Sequence, residues 1–211
     1  MRLFIFLVLF SVYGCSSSSQ LKKSEQEHTV KQNQIKDSLA FELCQIYGLD
    51  QGIRDSSLKF DTRQATTLAL DTLNFNKVVA FVTANGFPTH KLLGIENFDK
   101  ECVALAVPAV LLHNPNRLVK EKKYFDLFLN EVKKNNLDAS YFATILDKYY
   151  WVYSKNKETR RVFYGSQFGK PCIQTKDATN KARIEIGLKP LEDDGFLDCG
   201  DEELDRPKKR I

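Results

Sequence analysis

No CxxC and no HExxH occurs in this chain, and its 3 histidines, His28, His90 and His113, form no pair at ligand spacing. Zinc motifs carried by the sequence are therefore excluded, and no metal is expected. No GxGxxG and no phosphate loop is present, so nucleotide cofactors are not expected, and no other cofactor is indicated. GxSxG is missing too: Ser166 follows Tyr164-Gly165 but lacks a glycine two residues on, which argues against a nucleophilic serine. Charge of one sign is not in large excess. The formal net charge is +4, Arg2 included, and acids alternate with bases except in Arg206-Pro207-Lys208-Lys209-Arg210. So slight a surplus excludes a dedicated nucleic-acid binder, and the closing basic run reads as a solvated tail. No internal repeat emerges.

What is present begins at the N-terminus. Arg2 supplies a positive start, and Leu3 to Val12 form an apolar run of about ten residues, too short to span a membrane. Val12-Tyr13-Gly14-Cys15 follows, then Ser16 to Ser19. This resembles the lipobox of bacterial lipoproteins. The resemblance implies that residues 1–14 are a signal peptide and that Cys15 becomes the lipid-modified first residue. An ordinary secretory signal fits less well, because Tyr13 and Val12 make a poor small-x-small site. The expected partner is a membrane reached through palmitate-type acyl chains, in the cell envelope. The lack of acids over Ser16 to Gln20 favours a periplasm-facing location on the outer or inner membrane. Residues 15–32 are polar and read as a lipidated tether.

Four cysteines remain beyond Cys15: Cys44, Cys102, Cys172 and Cys199. An exported context permits disulfides, and four cysteines allow three connectivities. Cys44 and Cys102 lie in apolar helical patterns and read as buried thiols. Cys172 and Cys199 lie in loop-rich segments, so at most one bridge is expected, between those two.

The folded part is expected over 33–192, followed by a loose, charged tail over 193–211. Ile35, Leu39, Leu43 and Ile46 make one helical stripe, closed by Gly48. A polar loop from Asp50 to Asp61 follows, with room for a short helix over 62–70. Asp71 reads as the N-cap of a helix to Asn85 that turns Val78, Val79 and Val82 inward. Residues 96–113 read as one buried helix kinked by Pro108. An amphipathic helix over 117–135 carries Leu118, Phe125, Phe128, Leu129 and Val132. Asp138 caps another, with Phe142, Ile145, Leu146 and Tyr149 inside, ending in the aromatic run 149–153. Arg161 to Phe168 and Cys172 to Gln174, around Gly169-Lys170-Pro171, suggest a β-hairpin. Asp177 opens a last helix to Ile186, with Gly187 beyond. The fold class expected is mainly α: one irregular helical domain with a small β-hairpin near the C-terminus.

Several short segments occur in a definite order. They are Asp50-Gln51-x-x-Arg54, Asn85-Gly86-Phe87-Pro88, Leu111-Leu112-His113, Leu146-Asp147-Lys148, Tyr164-Gly165-Ser166-Gln167 and Arg183-x-x-x-Gly187-Leu188-x-Pro190-Leu191. That order resembles an uncharacterised bacterial domain family of unknown function, whose members show DQxxR, GxP, QH, LxDR, YGTQ and RxxxGLxPL over most of the domain. This chain departs from the pattern at Leu112, where the family has Gln, and at Lys148, where it has Arg. The resemblance implies candidate positions, not a reaction.

His113 stands where an apolar helix ends, which makes it a general base, a polar anchor, or a cap on the terminal carbonyls. Gln51 and Arg54 share one side of a turn, and a guanidinium there can clamp an anion or fasten a loop to Asp50, Asp147 or Asp177. Arg183 carries the same ambiguity. Tyr164 and Gln167, around Gly165, can line a polar pocket or form a bulge. The aromatic run with Trp151 can stack a flat ligand or close a core. The pocket candidates are therefore Gln51, Arg54, His113, Asp147, Tyr164, Gln167 and Arg183. The function expected is a binding or interaction module for a protein or small-molecule ligand. The alternative is an envelope hydrolase using His113, with Asp147 or Asp50 as orienter and Arg54 or Arg183 as an anion clamp.

Overall fold

The computed structural model describes residues 16–57, 63–153 and 160–201, with the side chains of 16–23 and Arg63 left aside. The expected signal peptide, Cys15 and the basic run at 206–210 lie outside the described residues. The order is α1 (Ser16–Gly52), α2 (Arg63–Asn85), α3 (His90–Leu93), α4 (Ile95–Phe98), α5 (Glu101–Ala104) and α6 (Ala106–His113). Then come α7 (Pro115–Lys120), α8 (Lys122–Lys133), α9 (Ala139–Tyr150), β1 (Val152–Tyr153), β2 (Arg160–Arg161) and α10 (Lys176–Glu185). The protein is mainly α with one small hairpin.

Helix α1 differs from the expected tether and short helix. It runs unbroken for 37 residues, roughly 55 Å at 1.5 Å per residue. No proline falls within it and no glycine before Gly48, so nothing local stops it. Residues 24–35 are exposed, and the helix meets the core from Leu39 onward. Gly48 does not end it because Asp50 and Ile53 extend the buried stripe of Leu43 and Ile46 past that glycine.

Helix α2 begins before Asp71, which therefore sits inside the helix rather than capping it. Its inward residues are Asn74, Phe75, Val78, Phe81 and Val82, and Gly86 closes it at φ 86°. The expected single helix over 96–113 is three short ones. Pro108 causes no kink: it lies in the first turn of α6, where an amide N–H has no helical partner to lose. Helix 117–135 is likewise divided, because Glu121 is extended (φ −108°, ψ 109°) between α7 and α8. Pro115 opens α7 at its first position. Asp138 caps α9, its carboxylate accepting from the Tyr141 N–H at 2.8 Å. In α9 Tyr150, not Tyr149, faces inward, at 3% against 38% exposure.

The core gathers Leu43 and Ile46 of α1, Phe75 and Val78 of α2, and Val107, Val110 and Leu111 of α6. It is completed by Leu118, Phe125, Phe128, Phe142, Ile145, Leu146 and Tyr164. Helix α6 is apolar nearly all round and runs through its middle. The hairpin pairs Val152 with Arg161 and Tyr153 with Arg160. It is thus built from the end of the aromatic run, not around Gly169. Lys170 instead makes a parallel bridge with Arg161, and Cys172 another with Leu197. The segment 193–201 is correspondingly packed: Phe196 and Cys199 are buried.

Among the described residues two disulfides are formed. Cys172 joins Cys199, and Cys44 of α1 joins Cys102 of α5. The second pair corrects the expectation of two buried thiols and at most one bridge. Only packing brings α5 against α1, 58 residues away in sequence.

Glu131 is a buried acid at the end of α8. It accepts from Asn136 Nδ2 at 2.8 Å, Lys134 Nζ at 2.8 Å and the Phe87 N–H at 3.4 Å, and so ties α8 to the turn after α2. Burial pushes its carboxyl up, but Asn136, Lys134 and the Phe87 amide outweigh that and hold it below the ordinary glutamate value. A depressed folded pKa gives stability that is present above the unfolded value of about 4.3 and lost as pH falls through the folded one. Glu131→Gln is therefore expected to cost about 1–3 kcal/mol at neutral pH and less at an acidic pH below the ordinary glutamate value. Urea midpoints of both proteins at the two pH values check this; an equal gap at both would remove the carboxylate charge as its cause.

Candidate functional site

The candidate residues fall into two clusters. The first lies where the last turns of α1 meet α2 and the end of α6. Asp50 is fully buried because it continues the core stripe of α1. Its carboxylate accepts from Gln51 Nε2 at 2.8 Å, Arg54 Nη1 at 3.2 Å and His113 Nδ1 at 3.0 Å. Arg54 Nη1 also donates to the Asp50 main-chain carbonyl at 2.6 Å, and Nη2 reaches the carboxylate of Asp71. Arg54 is thus engaged at both ends of its fork and is not an open anion clamp.

His113 does not cap α6 through its carbonyls; its Nδ1 faces Asp50. An ionised carboxylate only accepts, so Nδ1 carries the hydrogen and a neutral ring keeps its lone pair on Nε2. The His113 side chain is 29% exposed, whereas Asp50 is sealed. This is a histidine oriented by a buried aspartate at the domain surface. One ligand atom each from Asp50, Asp71 and His113 lies within 4.8 Å of the others, so these three can converge on one cation. Asp71 belongs to this set although its place before an apolar stretch reads, in sequence, as an N-cap. A further signal lies one turn on: Asn74 is fully buried, and both atoms of its amide lack a hydrogen-bond partner. Such a group costs about 1–3 kcal/mol unless something polar reaches it.

The second cluster is built around Asp147 of α9, also fully buried. Its Oδ1 accepts from the Phe163 N–H at 2.9 Å and the Tyr164 N–H at 2.6 Å, and its Oδ2 from the Ser166 N–H at 2.9 Å. Burial raises the Asp147 carboxyl above the ordinary aspartate value, against the pull of those three amides. From the other side, Arg183 Nη1 donates to the Tyr164 carbonyl at 2.5 Å and Nε to that of Lys189 at 2.8 Å. Burial lowers the Arg183 guanidinium, and the charge of Asp147 works the other way. Thr179 Oγ1 donates to the Phe163 carbonyl at 3.0 Å. Gly165 bends this loop at φ 74°, where an added Cβ would stand 2.7 Å from Leu191 Cδ1. The polar groups of Asp147 and Arg183 are spent on backbone, so this cluster holds a loop and offers little to a ligand.

Gln167 is exposed and belongs to neither cluster. Tyr150 closes the core against Phe163, while Trp151 packs with Tyr153 and lies under Arg160 and Lys148. A cleft of about 720 Å³ runs between the α8–α9 turn and the end of α10, lined by Val132, Asn136, Ile184 and Gly187 among others. None of the candidate residues lines it. Among the described residues no helix is long and apolar enough to cross a membrane. Comparison with family models, curated proteins and solved structures finds no match.

Proposed function

We propose that this chain is an exported envelope lipoprotein, anchored through Cys15, whose helical domain is a binding module working at the Asp50–His113 surface. The observation that carries the binding site is the partly exposed His113 ring, held at 3.0 Å by a buried carboxylate. Two disulfides support export, since such bonds persist in oxidising compartments. The nearly balanced charge supports a protein or small-molecule ligand rather than nucleic acid. The motif resemblance supports placing the chain with the family of unknown activity described above. Five of its segments supply members of the two clusters: Asp50 with Arg54, His113, Asp147, Tyr164 to Ser166, and Arg183.

Two measurements test this reading. Labelled palmitate is expected to enter the wild-type chain and not a Cys15→Ser variant; labelling of that variant refutes the anchor. A screen of envelope metabolites by thermal shift is expected to yield a ligand that stabilises the wild type and not His113→Ala. The hydrolase reading is favoured by the same Nδ1–Asp50 contact, which leaves Nε2 as a base. It is weakened by Arg54, already committed to Asp50 and Asp71. Turnover of an envelope substrate that disappears in His113→Ala would replace the binding reading with the catalytic one.

A further inference from the structure

We propose that Asp50, Asp71 and His113 are the ligands of a divalent transition-metal ion of the zinc class. Three different helices supply them, and one donor atom of each lies within 4.8 Å of the others. One imidazole nitrogen with two carboxylates is a donor set suited to such ions, the His113 nitrogen that faces Asp50 giving up its hydrogen to solvent as the ion replaces that contact, and none of the zinc sequence motifs is needed when the fold assembles it. Asp50 Oδ2 also receives Gln51 Nε2 at 2.8 Å, the kind of outer hydrogen bond that steadies a ligating carboxylate.

Charge points the same way. Two carboxylates face the single guanidinium of Arg54, leaving one negative charge against a fully buried Asp50. Arg54 acts as a resident cation that a divalent ion would displace from the carboxylates. Its Nη1 has a separate hold on the Asp50 main-chain carbonyl, so it need not leave the site.

Asn74 adds a buried polar group beside this set. It follows Asp71 by three residues on α2, which puts both on one face of that helix. It is wholly buried, yet neither end of its amide has a hydrogen-bond partner. The proposal rests on the Asp50–His113 surface being the working one. It does not depend on acylation at Cys15, so either can fail alone.

The test uses the mature full-length chain in detergent, with Zn²⁺ and Co²⁺ as probes, by calorimetry and metal analysis after dialysis. One equivalent is expected, with affinity lowered at least about tenfold by Asp71→Asn and by His113→Gln and falling on acidification as ligands protonate. Arg54→Ala is expected to bind at least as tightly, since it removes the competing cation. X-ray absorption of the zinc-loaded wild type is expected to show oxygen donors, one imidazole and no sulfur, a readout independent of how the variants fold. No bound metal, undiminished affinity in either ligand variant, or sulfur or several imidazoles around the zinc would overturn the assignment.

Discussion

Asp147→Ala is expected to lower the unfolding free energy by about 3–5 kcal/mol. Three backbone amides, of Phe163, Tyr164 and Ser166, lose their common acceptor at once. Phe163 and Tyr164 are buried, so water cannot easily take its place. Asp147→Asn should cost less. It keeps one acceptor oxygen for the Phe163 and Tyr164 amides but turns a donor towards that of Ser166. Urea unfolding checks both, with the midpoint falling at unchanged slope. A loss under about 1 kcal/mol for the alanine variant would show that Arg183 and Thr179 hold the loop unaided. Since this cluster is separate from Asp50 and His113, ligand or metal binding by the folded variant should be unchanged.

The paired substitution Cys44→Ser with Cys102→Ser is expected to cost about 4 kcal/mol. The bridge closes a loop of 58 residues, and the chain-entropy relation gives about that value for the unfolded state it restrains. Removing Cys172 and Cys199 together should cost slightly less, about 3.5 kcal/mol, because that loop spans only 27 residues. Denaturant midpoints of both double variants, compared with the oxidised and reduced wild type, test the order. The Cys44–Cys102 variant should be the weaker, since that bridge pins α1 to α5 where the long helix enters the core. If reduction of the wild type leaves its midpoint unmoved, the pairing is wrong.

Much of the fold could be read locally. The stripe of Leu39, Leu43 and Ile46, the Asp138 cap and the glycines at 86 and 187 each mark a helix through interactions within a few residues. The same local logic failed where packing overrode it. Asp71 has the chemistry of a cap, yet α2 starts a turn or more earlier and turns that carboxylate towards Arg54. Gly48 has the look of a stop, but Asp50 and Ile53 have buried places to occupy beyond it. In the candidate site, Arg54 and His113 were visible from residue type and position. Asp71 and Asn74 were not, because nothing nearby in sequence distinguishes a polar residue that faces a core from one that faces water.

Composition and short-range pattern alone established a mainly helical chain without the motifs of nucleotide or zinc enzymes, and they are the whole basis on which a lipobox-like leader is proposed. Those properties depend on neighbours within one or two turns, which a linear chain displays. Tertiary structure alone decided which cysteines meet, that Asp50 rather than Asp147 orients His113, and that Asp147 and Arg183 grip a loop. Each of those pairings joins groups 16 to 63 residues apart. Their geometry follows from how the helices bury their apolar faces, not from any preference of the polar residues themselves.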